Sequence, residues 1–192
     1  ALTRAGSAEP AAIRDAIEET SGLAGATGVV TMTPEDHLGF DLSAFRVKYC
    51  TSAPFPASLK QEVLRRWPGG LVEFYGLTEG GGSCVLVAHE FPDKLHTVGR
   101  PIPGHDMRVI DEDGAELPPG SVGEVVGRSP AMMKGYNNRP DATDAMKWYD
   151  AEGNLYYRHG DIGRFDEDGF LTLMDRAKDM IISGGFNIYP SD

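Results

Sequence analysis

The chain has 192 residues, 41% of them apolar, and a formal net charge of -11. That is room for one sizeable domain or two small ones with a globular core. The acid surplus argues against nucleic-acid binding, which needs a basic footprint, and against docking on anionic lipid; it fits a soluble acidic surface.

Ser7-Ala8-Glu9-Pro10 predicts a helix start, because Pro suits the first helical turn, where its missing N–H costs nothing. Ile13, Ala16 and Ile17 give that helix one apolar face, and Gly22 stops it. Gly28 to Met32 reads as a strand, and residues 33–40 as a loop in which His37 is solvated. Phe45 to Cys50 alternates as a strand should. Thr51 to Pro56 is a loop of small residues before a helix whose buried face is Leu59, Val63 and Leu64, closed by Trp67-Pro68-Gly69. Leu71 to Tyr75 is the next strand. Strand, loop, helix and strand make a βαβ unit, which favours parallel pairing.

From about residue 97 short strands alternate with turns, the pattern of a small antiparallel barrel or sandwich. The fold class is therefore α/β, mixed: a partial βαβ unit followed by that antiparallel subdomain. Asp111-Glu112-Asp113-Gly114, Asp150-Ala151-Glu152-Gly153 and Asp166-Glu167-Asp168-Gly169 lack the alternating oxygen ligands and distal Glu of a calcium loop. They read as Asp-Gly hairpin turns of type I′, which need positive φ. Cys50 and Cys84 form no CxxC pair, which argues against a zinc site or a disulfide framework. They read as buried thiols suited to a reducing cytoplasm. No apolar run approaches membrane-spanning length, and no signal peptide opens the chain. The missing initiator Met and the end at Tyr189-Pro190-Ser191-Asp192 read as a piece of something longer.

Tyr75-Gly76-Leu77-Thr78-Glu79, running into Gly80-Gly81-Gly82, is the most informative stretch. It follows a predicted strand, and ligand sites in α/β sheets form at such strand ends. An aromatic ring can stack on a flat heterocycle, Thr can bond a phosphate oxygen, and Glu can hold Mg²⁺. The plainer reading is a strand end with a turn. In Tyr157-Arg158-His159-Gly160-Asp161-Ile162-Gly163 a carboxylate between glycines can accept the two hydroxyls of a ribose, or it is a salt-bridged turn Asp. His159 reads as structural, with no proton-transfer role. Arg176, in Asp175-Arg176-Ala177-Lys178-Asp179, could donate to the same ribose or sit in a charged turn. Gly184-Gly185 reads as a swinging loop or a simple bend. No Ser-His-Asp arrangement, metal-ligand cluster, GxGxxG or Walker-type Gly-Lys-Ser/Thr is present. The pieces add up to a nucleotide site without a phosphate-cradling loop.

Together these segments resemble the adenylate-forming superfamily, which includes acyl-CoA synthetases such as long-chain-fatty-acid–CoA ligases. Five segments match in the family's order over about residues 46–192: Tyr75 to Glu79 for YGxTE, and Val98-Gly99-Arg100-Pro101 for VGxP. Gly123-Glu124, Gly135-Tyr136 and Pro140-Asp141-Ala142-Thr143 fit the GE…GY…P-x-x-T run. Tyr157 to Asp161 fits (Y/F)RTGD, with His159 where the family usually has Thr, and Asp175 to Asp179 fits the hinge. The resemblance implies that Ser52, Ala53, Pro54, Glu73, Phe74, Tyr75 and Gly76 border an adenine. It implies that Thr78 contacts the α-phosphate and Glu79 binds Mg²⁺. It gives Asp161 the ribose hydroxyls with Arg176 assisting, makes Lys178 the hinge, and puts Gly184 and Gly185 in the coenzyme A loop. ATP or AMP, Mg²⁺ and coenzyme A are the implied cofactors and co-substrates, and a fatty or aryl carboxylate is the implied substrate.

The expected reaction is carboxylate plus ATP to acyl-adenylate and pyrophosphate, then thioester formation with coenzyme A. The family's Ser/Thr/Gly-rich phosphate loop and its catalytic-Lys domain are not in the chain, so activity of this polypeptide alone is not expected. The expected organisation is residues 1–46, a helix-strand segment of uncertain origin, and 47–96, an α/β part of the AMP-binding domain. Residues 97–174 follow as the antiparallel subdomain, then 175–192 as the hinge and the start of a further domain. Residues 1–46 weakly resemble a branched-chain amino-acid ABC-transporter binding protein, which suggests a fusion; a divergent part of the ligase is the other reading. A solute-binding module and a non-catalytic structural fragment are the competing functions. Apolar faces that a whole ligase would cover favour a homodimer.

Overall fold

The computed structural model describes residues 43–176, 181–183 and 186–188, with side chains described for 43–174. The helix and strand expected within residues 7–32, the loop with His37, and Lys178, Gly184 and Gly185 lie outside the described residues. The described chain is a mixed α/β fold that divides into two units.

In the first unit, β1 (Val47–Cys50) leads through an exposed loop to α1 (Ala57–Arg66) and then to the start of β2 (Gly70–Gly76). The Gly70 N–H donates to the Arg46 carbonyl at 2.8 Å, and the Cys50 thiol lies 3.7 Å from the Val72 carbonyl. These contacts advance together along both strands, as parallel pairing requires. Pro56 opens α1, and its carbonyl accepts from the Leu59 and Lys60 amides. Lys48 closes the turn after α1: its ammonium donates to the carbonyls of Trp67, Pro68 and Gly69 at 2.9–3.1 Å. A cation there satisfies orphan carbonyls and opposes the helix dipole. The expected buried face is only half-buried at Leu59, Val63 and Leu64; the buried helix residue is Lys60, its ammonium 5.9 Å from the Phe55 ring centroid. A long aliphatic stem lets Lys fill such a position.

The second unit holds the end of β2, β3 (Ser83–Val87, except its last residue) and β4 (Arg100–Pro101), consecutive neighbours in one sheet. It also holds an antiparallel sheet of β5 (Asp106–Ile110), β6 (Gly123–Arg128), β7 (Lys147–Tyr149), β8 (Leu155–Phe165) and β9 (Leu171–Arg176). The short α2 (Pro140–Ala145) precedes β7. A further antiparallel pair, β10 (Ile181–Ser183) and β11 (Phe186–Ile188), follows. Strand alternation sorts the core onto two faces. Met107, Val109, Val125, Phe165 and Leu171 pack with Cys84 on one; Ile110, Val126, Trp148 and Tyr156 cluster on the other.

β8 is the central strand. β6 pairs along it from Tyr157 to Gly163, β7 meets Leu155–Tyr157, and β9 meets Asp161–Phe165. Between the pairs Val126↔Arg158 and Glu124↔Ile162, β8 has two more residues than β6, which makes a bulge at 159–161 with Gly160 at φ 70. Asp161 lies inside this 11-residue strand, at its irregularity. Bulges re-aim side chains beside functional sites.

The three Asp-x-x-Gly segments are turns, but not of type I′. Only their last residue has positive φ: Gly114 at 83, Gly153 at 80 and Gly169 at 79. In each the Gly amide donates to the Asp carbonyl, and the Asp carboxylate accepts from the backbone N–H four residues on. This is a type I turn followed by a left-handed Gly, the other common hairpin solution. Cys84 is buried, with its thiol 3.5 Å from the Met107 sulfur, and burial pushes it up to about 12. Cys50, expected to be buried, is half-buried. Among the described residues no helix is long and apolar enough to cross a membrane.

Candidate functional site

The centre of the candidate site lies within the second unit, where the segment after β2 meets the bulge of β8. Burial along β2 alternates: Glu73 in, Phe74 out, Tyr75 half-buried, with Gly76 its last residue. Thr78 and Glu79 then occupy a turn closed by the Gly80 amide on the Leu77 carbonyl at 3.1 Å; Thr78 is exposed and Glu79 half-buried.

Tyr75 Oη is 2.8 Å from Asp161 Oδ2 and 2.9 Å from His159 Nδ1. The other imidazole nitrogen of His159, Nε2, lies 2.6 Å from the Gly81 carbonyl. Tyr75 and Gly81 flank Thr78 and Glu79 in the chain, so two bonds to β8 pin that turn on both sides. The Tyr75 and His159 rings also lie against each other, centroids 5.4 Å apart at 33°. Gly127 on β6 makes the approach feasible. A Cβ there would overlap the Gly81 carbonyl and crowd His159 Nε2. His159 is 6% exposed. Burial pushes its imidazole below the ordinary 6.5, against the upward pull of the Gly81 carbonyl and of the Asp161 and Glu79 carboxylates. Both carboxylates are thus close enough to act on one ring.

Glu79 is held from a different direction. Tyr136 Oη donates to Glu79 Oε1 at 2.5 Å, and this bond, with burial second, raises the Tyr136 hydroxyl above its ordinary 10. The segment before Tyr136 is tied to the same turn. The Met133 amide donates to the Glu79 carbonyl, Ser129 Oγ donates to the Gly80 carbonyl at 2.6 Å, and Tyr157 Oη donates to the Met133 carbonyl. Thr143 explains the spacing from Gly135-Tyr136 to Pro140-x-x-Thr143. Its hydroxyl accepts from the Tyr136 amide at 2.9 Å and donates to the Arg139 carbonyl at 3.0 Å.

The structure brings Tyr75, Glu79, Asp161 and, in the β8–β9 register, Arg176 into one region; Arg176 is the ladder partner of Asp161. Ser52, Ala53 and Pro54 are exposed in the first unit's β1–α1 loop, with Ser52 in a left-handed conformation at φ 74. Sequence reasoning missed Tyr136 as a partner of Glu79, and Ser129 and Met133 as fasteners. It set His159 aside as structural. The one available signal was Gly135-Tyr136 with its downstream Thr143.

The family model described as "AMP-binding enzyme" matches residues 4–137. The chain belongs to this AMP-binding enzyme family. The match takes in residues 4–46, which supports reading that segment as part of the same family's sequence, and nothing favours a solute-binding protein there. A feruloyl-CoA synthase of Amycolatopsis sp is 41% identical over 155 residues, 79% of this chain and 30% of that protein. A long-chain-fatty-acid–CoA ligase of Escherichia coli O6:H1 is 38% identical over 138 residues, 70% of this chain and 24% of that protein. An O-succinylbenzoate coenzyme A synthetase from Bacillus subtilis, solved with ATP and a magnesium ion, superposes with a TM-score of 0.67 at 26% identity. The superposition covers 96% of this chain and 38% of that one. The chain thus spans about a quarter to two fifths of the length of these proteins.

Proposed function

We propose that this chain is the adenosine-binding part of an AMP-forming acyl-CoA synthetase, an acid–thiol ligase, working in the cytoplasm where ATP and coenzyme A are drawn on. The observation that carries the reading is the junction at Tyr75: one hydroxyl ties the Tyr75–Glu79 segment to Asp161, a carboxylate suited to a ribose diol. Asp161 accepts the two ribose hydroxyls, and Arg176 assists. Glu73, Phe74, Tyr75 and Gly76, with Ser52, Ala53 and Pro54, border the adenine. Thr78 contacts the α-phosphate. Glu79 offers hard carboxylate oxygen at a half-buried turn, which fits Mg²⁺. The bound cation would offset phosphate charge as the carboxylate substrate attacks the α-phosphate and pyrophosphate leaves. The protein's share is positioning and charge stabilisation. Lys178 serves as the hinge, and Gly184 and Gly185 border the path by which the coenzyme A thiol displaces AMP. The domain reading with boundaries at 46, 96 and 174 goes with this assignment.

Without the family's phosphate loop in this stretch of sequence, the chain alone binds AMP but gives no ATP–pyrophosphate exchange. Calorimetric titration of the 192-residue chain with AMP tests the reading. Saturable binding that Asp161→Ala removes supports it; an absence of AMP binding overturns it.

A further inference from the structure

His159 is the buried imidazole at the centre of the junction. The Gly81 carbonyl can only accept, so Nε2 at 2.6 Å carries the N–H. Burial keeps the ring neutral near pH 7, so Nδ1 holds a lone pair. Groups act on this ring from every side. They are the Tyr75 hydroxyl from β2, the Glu79 carboxylate and Gly81 carbonyl from the following turn, Asp161 from β8, and the backbone of Gly127 from β6.

The consequence is a competition. Tyr75 has one hydroxyl proton and two acceptors within reach, Asp161 Oδ2 at 2.8 Å and His159 Nδ1 at 2.9 Å. With no ligand the charged carboxylate takes the proton, because bonds to ionised acceptors are the stronger ones. A vicinal diol brings two donors of its own to Asp161, and they compete with the tyrosine hydroxyl for its oxygens. We infer that His159 is a positioning residue for diol recognition: its Nδ1 accepts the Tyr75 hydroxyl when a ribose displaces that hydroxyl from Asp161. Tyr75 then pivots between two acceptors: in the free state Nδ1 lacks a donor, and the diol-bound state supplies one. No bond is made or broken, and the proton stays on Tyr75. This rests on the nucleotide reading above.

The imidazole nitrogens report it directly. Long-range ¹H–¹⁵N spectra of the 192-residue chain should show His159 protonated on Nε2 in the free protein. Saturating AMP should move the Nδ1 resonance upfield, as for a lone pair gaining a donor, and 2′,3′-dideoxy-AMP should leave it in place. Tyr75→Phe, which keeps the ring and removes the proton, should abolish the movement. His159→Phe should weaken AMP about tenfold and leave the dideoxy analogue unaffected, an asymmetry that general loss of structure would not produce. AMP binding with an unmoved Nδ1, or a free protein protonated on Nδ1, overturns this inference and leaves the nucleotide reading standing. No AMP binding overturns both.

Discussion

Two sets of carboxylates in the second unit use the same chemistry in opposite ways. Asp111, Asp150 and Asp166 accept from backbone N–H groups inside their own turns, at 2.8, 2.7 and 2.8 Å. Asp161 and Glu79 accept from tyrosine hydroxyls 86 and 57 residues away in the chain. A turn Asp is committed as soon as its hairpin closes, and its partners cannot leave without unfolding the turn. Each of the other two accepts from a rotatable tyrosine hydroxyl. Another donor can replace such a hydroxyl without disturbing any backbone, which is what a binding site needs.

The largest expected effect separates the two sets. Asp161→Ala removes the acceptor of two charge-assisted bonds, each worth about 1.5–3 kcal/mol. AMP affinity should fall by a hundredfold or more, with little change in unfolding free energy. Asp166→Ala should do the reverse. Losing the bonds from the Asp168 and Phe170 amides should cost about 1–2 kcal/mol of stability and leave AMP affinity unchanged. Calorimetry and denaturant unfolding on both variants measure this. An Asp161→Ala chain that binds AMP normally would put Asp161 with the turn residues.

A smaller effect concerns pH. His159 titrates below its ordinary 6.5 because burial disfavours the cation. A group held neutral in this way contributes stability that is fully present above 6.5. As the pH falls below that, the unfolded chain takes up a proton that the folded chain resists, and stability is lost through the folded value. Wild-type protein should therefore lose melting temperature between pH 7 and 5.5 more steeply than His159→Gln. Equal slopes would mean that the imidazole is not held neutral by the fold.

The fold was legible where local chemistry decides it. The β1–α1–β2 order follows from alternation and from the Pro56 and Trp67-Pro68-Gly69 breaks, and the three Asp-x-x-Gly turns stand out at once. Their type was misread because an Asp side chain bonding four residues ahead stabilises a type I turn with a terminal left-handed Gly, a distinction that Asp-Gly alone does not carry. The site was legible as separate motifs. Its connections were not: Tyr136 to Glu79 and Tyr75 to Asp161 join residues with no local relation. The bulge that aims His159 and Asp161 arises from a register mismatch between β6 and β8. Lys60 escaped for a different reason, since apolar periodicity does not register a lysine buried along its stem.

The smallest expected effect tests whether Glu79 belongs with the replaceable carboxylates. Tyr136 is 39% exposed and its bond to Glu79 is reached by water, so Tyr136→Phe should cost under about 1 kcal/mol of stability. Without Mg²⁺ its AMP affinity should match wild type, because the Tyr136 hydroxyl touches no residue assigned to the adenosine. With Mg²⁺ present the variant should bind AMP a few times more tightly. The hydroxyl no longer competes for Oε1, and the carboxylate is available to the cation at lower cost. A stability loss of several kcal/mol would instead mean that the Tyr136–Glu79 bond fastens the 129–136 segment as firmly as Asp150 fastens its hairpin. Glu79 would then be a structural carboxylate that happens to lie beside a site.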